Sequence, residues 1–259
     1  MPSTRGVWEE HGPGCHRLRL AELELGIGVV SGSDGLLVVD TGSSPERGAW
    51  LRAEVTRRFG RPPTHLVITH GHFDHCFGTP AFRAADPAVL VAAHPGLTGY
   101  LAAGEAELRA DAVRWGVPEA EVRDTPWPPA VVDLPVAASA VLDLGGGRRV
   151  ELLHPGPGHT GHDLVVRVPP ASGGRAAPGA RAVVYCGDLV EESGPPQAGP
   201  DSFPGAWPEA LDRLLALGGP DAVYLPGHGA AVDAGFVRRQ RAELAARAAG
   251  DGRPGGGAG

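Results

Sequence analysis

Short runs of β-branched and aliphatic residues recur along the chain, alternate with longer helical patterns, and often end in Gly, Asp or His. HRLRLAE (16–22) and GIGVVSGSDGLLVVD (26–40) read as strands, the second folded at Gly-Ser-Asp-Gly into a hairpin. SSPERGAWLRAEVTRRFG (43–60) predicts a helix, with Ser44 as its N-cap, Pro45 in the first position and Gly60 as its stop. HLVITH (65–70) and AVLVAAH (88–94) read as buried strands. From Pro95 to Asp124 the pattern is helical and polar with a break at Gly116-Val117-Pro118, and TPWPPAVVDLP (125–135) returns the chain to strand. SAVLDLGGGRRVELLHP (139–155) predicts a second hairpin, followed by strands DLVVRVP (163–169), RAVVYCGD (181–188) and AVYLPGHG (222–229). Helices are expected over WPEALDRLLALG (207–218) and DAGFVRRQRAELAARAAG (233–250).

Strands therefore dominate two stretches, each followed by helices, with no compositional break between them. One α+β domain over residues 1–250 is expected, with a low-complexity, disordered Gly-rich tail at 251–259. The composition, 42% apolar and 20% charged, suits a chain that buries a core. No apolar run reaches the ~20 residues of a membrane span, and no basic stretch leads into an apolar one at the N-terminus, so a cytoplasmic protein is expected. The net charge is −7 with no basic block, which argues against nucleic acid as a partner. The three cysteines, Cys15, Cys76 and Cys186, form no C-x-x-C pair, so they read as packed thiols. There is no Lys and no Asn anywhere, which removes a P-loop lysine, a Schiff-base lysine and an Asn oxyanion donor.

THGHFDH (69–75) places His70, His72, Asp74 and His75 where a β-branched strand gives way to a loop. Residues two apart at a strand end share a side, and imidazole with carboxylate is the ligand chemistry of zinc and related divalent metals. Three later strands end in the same way: His159 lies in PGPGHTGHD, Asp188 in YCGDL and His228 in YLPGHG. Each sits among glycines that allow close backbone approach. GPGHTG (156–161) also satisfies G-x-G-x-x-G, but the next residues, HDLVVRVP (162–169), read as a strand, so the dinucleotide fingerprint lacks its helix.

With these segments in this order, VVDTG, THGHFDH, GHT, CGD and PGHG, the chain resembles the metallo-β-lactamase superfamily from about Gly26 to Gly229. The resemblance implies a four-layer αββα sandwich with a metal site at the edge between two sheets. It implies that His70, His72 and His159 bind one metal, that Asp74, His75 and His228 bind a second, and that Asp188 bridges them. Asp40, in VVDTG, would accept a hydrogen bond that orients a ligand. The implied cofactors are two divalent ions, zinc first and iron as the alternative. The implied chemistry is attack of a metal-activated hydroxide, oriented by Asp74, on a small ester, thioester, lactone or lactam. A persulfide dioxygenase-like enzyme with one iron is the competing reading, and a metal-stabilised binding protein without turnover is the third. Residues 95–127 and the loop ESGPPQAGPDSFPGAW (192–207) are the expected pocket walls, with Trp115, Trp127, Phe203 and Trp207 able to supply either apolar contact or core packing.

Overall fold

The computed structural model describes residues 6–170 and 181–251. Seven strands form the first sheet, in the order β1 (Gly6–Gly12), β2 (Cys15–Leu20), β3 (Gly26–Ser31), β4 (Leu36–Val39), β5 (His65–Val67), β6 (Leu90–Ala93) and β7 (Leu134–Pro135). β1 to β4 run antiparallel as a meander, and β4 to β7 pair in parallel. Between them lie helices α1 (Pro45–Phe59), α2 (Phe73–Cys76), α3 (Thr79–Ala85), α4 (Gly96–Ala103), α5 (Glu105–Arg114) and α6 (Glu119–Asp124). The second sheet comprises β8 (Ser139–Asp143), β9 (Arg149–Leu153), β10 (Val165–Val168), β11 (Val183–Glu191) and β12 (Val223–His228), side by side in that order. α7 (Trp207–Gly218) and α8 (Ala234–Asp251) complete the chain.

Successive strand residues point to opposite faces, and this sorts the apolar side chains into three layers. Ile27, Val38 and Leu66 face outward from the first sheet against Leu51 and Val55 of α1, Phe82 of α3 and Leu101 of α4. Their neighbours Val30, Leu37 and Val67 face the other way and meet Leu152, Val166 and Leu225 between the sheets. Val165, Val184 and Cys186 then pack outward on Trp207 and Leu211 of α7 and on Val237 and Leu244 of α8. The order is helix, sheet, sheet, helix. Burial of such side chains is worth about 1.5–3 kcal/mol each.

The hairpin at 26–40 and the helix at 45–59 form where the pattern predicts them. Ser44 Oγ accepts from the Arg47 N–H, and Gly60 closes the helix with φ +70°. Other expectations need correction. β1 is a strand the pattern does not announce, because GVWEEHG lies at the sheet edge without a fully buried residue. The strand expected over 65–70 stops at Val67, which frees Ile68 to His72 to cross the sheet end. TPWPPAVVDLP pairs over only two residues, since its prolines carry no N–H for a ladder. Residues 252–259, the bulk of the expected disordered tail, and 171–180 lie outside the described residues.

β11 is buried along all nine residues, with β10 on one side and β12 on the other. Its sequence VVYCGDLVE reads as the apolar run of a strand covered on both faces, interrupted at its middle by Gly187-Asp188. That interruption carries Asp188.

Candidate metal centre

The connections after β5 and β9 meet residues of β11 and β12 at one end of the two sheets. His70 and His72 lie where β5 gives way to α2, and Asp74 and His75 sit inside that four-residue helix. His159 comes from the loop between β9 and β10, Asp188 from β11, and His228 from the last residue of β12. All seven are buried except His72, which is partly buried. Ligand atoms of His70, His72, His159 and Asp188 lie within 4.8 Å of one another, as do those of Asp74, His75 and His228. Asp188 is close to both groups. Its Oδ2 lies 3.7 Å from His70 Nε2, 3.6 Å from His159 Nε2 and 3.3 Å from His228 Nε2, and its Oδ1 is 3.3 Å from His75 Nε2.

Each of the five imidazoles has one ring nitrogen tied outward and the other turned into the cluster. His70 Nδ1 is 3.0 Å from Thr69 Oγ1, and His75 Nδ1 is 2.9 Å from Asp40 Oδ2. His159 Nδ1 meets the Gln197 carbonyl at 3.1 Å, and His228 Nδ1 meets the Leu23 carbonyl at 2.7 Å. His72 is turned over: its Nε2 lies 3.0 Å from Asp201 Oδ2, and its Nδ1 faces His159 Nε2 at 3.0 Å. Fixing the outer nitrogen fixes the tautomer and leaves the inner lone pair for a cation. Inside, His70 Nε2, His75 Nε2 and Asp188 Oδ1 are buried with no hydrogen-bond partner among the described residues. Buried polar atoms are normally satisfied, so convergent orphaned nitrogens around carboxylates fit a divalent cation, and the donor set is that of zinc or iron.

Backbone strain is concentrated here. Leu23, Glu24 and Asp40 are the non-glycine residues at positive φ among the described residues, at 55°, 52° and 66°. Leu23 offers its carbonyl to His228, and Asp40 holds both His75 and the Thr69 N–H.

The charges follow the same geometry. Burial pushes the His70 imidazole well below its usual range and His159 down to about 4, with neighbouring imidazoles adding to the effect. Burial acts the same way on His75 and His228, but the carboxylates of Asp188 and Asp74 outweigh it and raise both well above 6.5. Asp74 and Asp188 would rise on burial, yet the facing His75 and His228 pull them down.

The sequence model of the metallo-beta-lactamase superfamily matches residues 27–228. This chain belongs to that superfamily. A metallo-beta-lactamase type 2 from Bacillus cereus is 25% identical over 212 residues, covering 81% of this chain and 68% of that protein. A second, from Bacillus sp. (strain 170), is 24% identical over 211 residues, with the same coverage of 81% and 68%. Among solved structures, the metallo-beta-lactamase from Pontibacter korlensis superposes with a TM-score of 0.65 at 20% identity, over 93% of this chain and 99% of that one. The metallo-beta-lactamase FIM-1 from Pseudomonas aeruginosa, solved in its mono-zinc form, gives a TM-score of 0.65 at 20% identity, over 94% and 96%. The metallo-β-lactamase fold is therefore shared at low sequence identity.

Pattern reasoning on this superfamily member missed Asp201, Leu23 and Gln197, and for the last two no side-chain signal exists, because the backbone carbonyl makes the contact. It also missed Tyr100, whose ring lies 6.2 Å from His72 and 4.6 Å from His162. Among the aromatics expected at the walls, Trp207 is fully buried, stacks edge-on to His159 and donates to the Leu189 carbonyl, so it is core. Trp127 packs edge-on against Phe77 and donates to the Leu101 carbonyl, which is also core packing. Phe203 is 46% exposed beside Gly161 and Trp115 is 56% exposed on the outside of the helical layer. Cys76 and Cys186 are buried free thiols, raised by burial, and neither belongs to the clusters of metal-ligating side chains.

Proposed function

We propose that the chain is a hydrolase of a small acyl substrate, an ester, thioester, lactone or lactam, that works with two divalent ions, zinc foremost. The observation that carries this reading is the convergence of seven side chains as two sets around Asp188, with every imidazole anchored from behind. His70, His72 and His159 would hold one ion, Asp74, His75 and His228 the other, and Asp188 both. When bound, such a pair of ions makes a nucleophile of water near neutral pH and polarises the carbonyl under attack.

The chain's own groups do the rest. Asp74, whose Oδ2 lies 3.2 Å from His228 Nε2, would orient an attacking water and take its proton. Tyr100 beside His72 and the exposed Phe203 would contact a substrate, and the buried Trp207 packs against His159. No described Ser or Cys is needed as a nucleophile, and the buried cysteines stay protonated.

The test combines metal analysis of the purified protein with a hydrolysis screen over thioesters, lactones, β-lactams and simple esters, with and without chelator. Close to two equivalents of metal and chelator-sensitive turnover are expected, and Asp74→Asn should lower turnover by at least about 100-fold while leaving the fold intact. Full activity at one equivalent would remove the second ion from the reading. Iron as the native metal, with oxygen consumed on a persulfide, would favour the dioxygenase-like alternative. That alternative leaves the buried set of Asp74, His75 and His228 without a task.

A further inference from the structure

A third carboxylate reaches the same centre. Glu191 is the last residue of β11, 5% exposed, and stands opposite His228 in the parallel register of β11 and β12. Ligand atoms of Asp188, Glu191 and His228 all lie within 4.8 Å of one another. The residue is held from several directions. Its backbone N–H donates to Gln240 Oε1 of α8 at 3.0 Å, and the Gln240 amide donates in turn to the Leu189 carbonyl. Oε1 accepts from the Ser193 N–H at 3.1 Å and from Ser193 Oγ at 2.6 Å. Those two bonds fix the carboxylate through one oxygen and leave Oε2 for another partner. No arginine or histidine ion pair compensates this nearly buried group among the described residues. Its neighbour Asp188 has Oδ1 buried without a partner.

We propose that Glu191 is a further ligand of the second ion, so that this ion is held by Asp74, Asp188 and Glu191 together with His75 and His228. The inference rests on the dinuclear reading and deepens it. Three carboxylates and two imidazoles make an oxygen-rich set, whereas His70, His72 and His159 surround the first ion with nitrogen. Oxygen-rich sites suit harder ions, manganese(II) or iron(II), better than nitrogen-rich ones do. The two positions therefore differ in preference: the first selects zinc, and the second accepts a harder ion alongside zinc.

Chelator-stripped protein titrated with Zn2+ and with Mn2+ against a chromophoric chelator tests this without any substrate. The wild type is expected to take up two equivalents. In Glu191→Ala the second equivalent should weaken by about 10- to 100-fold, more for Mn2+ than for Zn2+, with the first unchanged. Glu191→Gln, which keeps the Ser193 contacts and the shape, should show the same ordering with a smaller loss, and it serves if the alanine variant does not fold. With Co2+ as the probe, loss of a ligand should intensify the visible absorption of the second equivalent. Unchanged second-step affinity and an unchanged Co2+ spectrum in Glu191→Gln would overturn the assignment while leaving two ions in place. Uptake of a single equivalent by the wild type would instead overturn the dinuclear reading itself.

Discussion

At the scale of single residues, the centre depends on which nitrogen of each imidazole carries its proton. His162 shows the principle next to the cluster. Its Nε2 accepts the Gly71 N–H at 3.0 Å, so the ring must be neutral in the folded chain. Burial, helped by His72, lowers it to about 3. The unfolded chain protonates this ring near 6.5, so the stability it contributes is complete above that pH and is lost as the pH falls towards 3. The loss is at most about 1.4 kcal/mol per pH unit. His162→Gln keeps an acceptor for Gly71 but cannot titrate. Melting curves at pH 7 and pH 5 should therefore show a larger drop in Tm for the wild type than for this variant. Equal drops would mean that His162 is not kept neutral by the fold. Gly71 in turn sits between His70 and His72, so the neutral ring also helps to set the loop that presents them.

At the scale of elements, each side chain of the cluster is carried by a strand or connection whose position is fixed by a neighbouring strand or turn. The bend between β2 and β3 reaches across to β12: Leu23 meets His228, the Gly229 N–H donates to the Glu24 carbonyl, and Leu25 bridges to His228. Arg17 of β2, buried, grips the Pro226 and Gly229 carbonyls at 3.1 and 2.7 Å on either side of His228. The close approach of β11 and β12 needs Gly227, because a Cβ there would overlap Asp188 Oδ1. Gly227→Ala leaves the backbone conformation accessible and acts on that carboxylate. Metal stoichiometry should fall below two equivalents while the far-UV circular dichroism stays that of the wild type. Two tightly held equivalents in this variant would show that Asp188 can shift without loss. The glycine is visible in PGHG, but its reason is not, since Asp188 is far away along the chain.

At the scale of the whole molecule, the fold gathers negative charge and lone pairs at one sheet end, an arrangement that a bound cation would reconcile. Stripping the metal should therefore lower the melting temperature. A ligand present at 100 times its dissociation constant stabilises by about 2.7 kcal/mol, which is about 5–10 °C for a chain of this size. Restoring Zn2+ should recover it. His75 and His228 are raised in the metal-free chain, so binding must displace their protons, and metal affinity should rise as the pH increases from about 6 to 8. Calorimetry in buffers of different ionisation enthalpy checks the proton release, and pH-independent affinity would contradict it. Among the described residues no helix is long and apolar enough to cross a membrane.

The sequence by itself determined the alternation of strands and helices, the cap and stop of α1, and the residue types crowded at four strand ends, because these follow from local periodicity and local chemistry. Family resemblance added the pairing of distant segments. Only the tertiary structure decided which nitrogen of each histidine faces inward, that Asp201, Gln197 and Leu23 stand behind three of them, that Trp207 packs against His159 and Tyr100 lies beside His72, and that Glu191 comes close to Asp188 and His228. Those facts depend on contacts between residues far apart in the chain, several through backbone carbonyls that every residue carries. A hydrophobic pattern records which face a side chain takes, but not what meets it there.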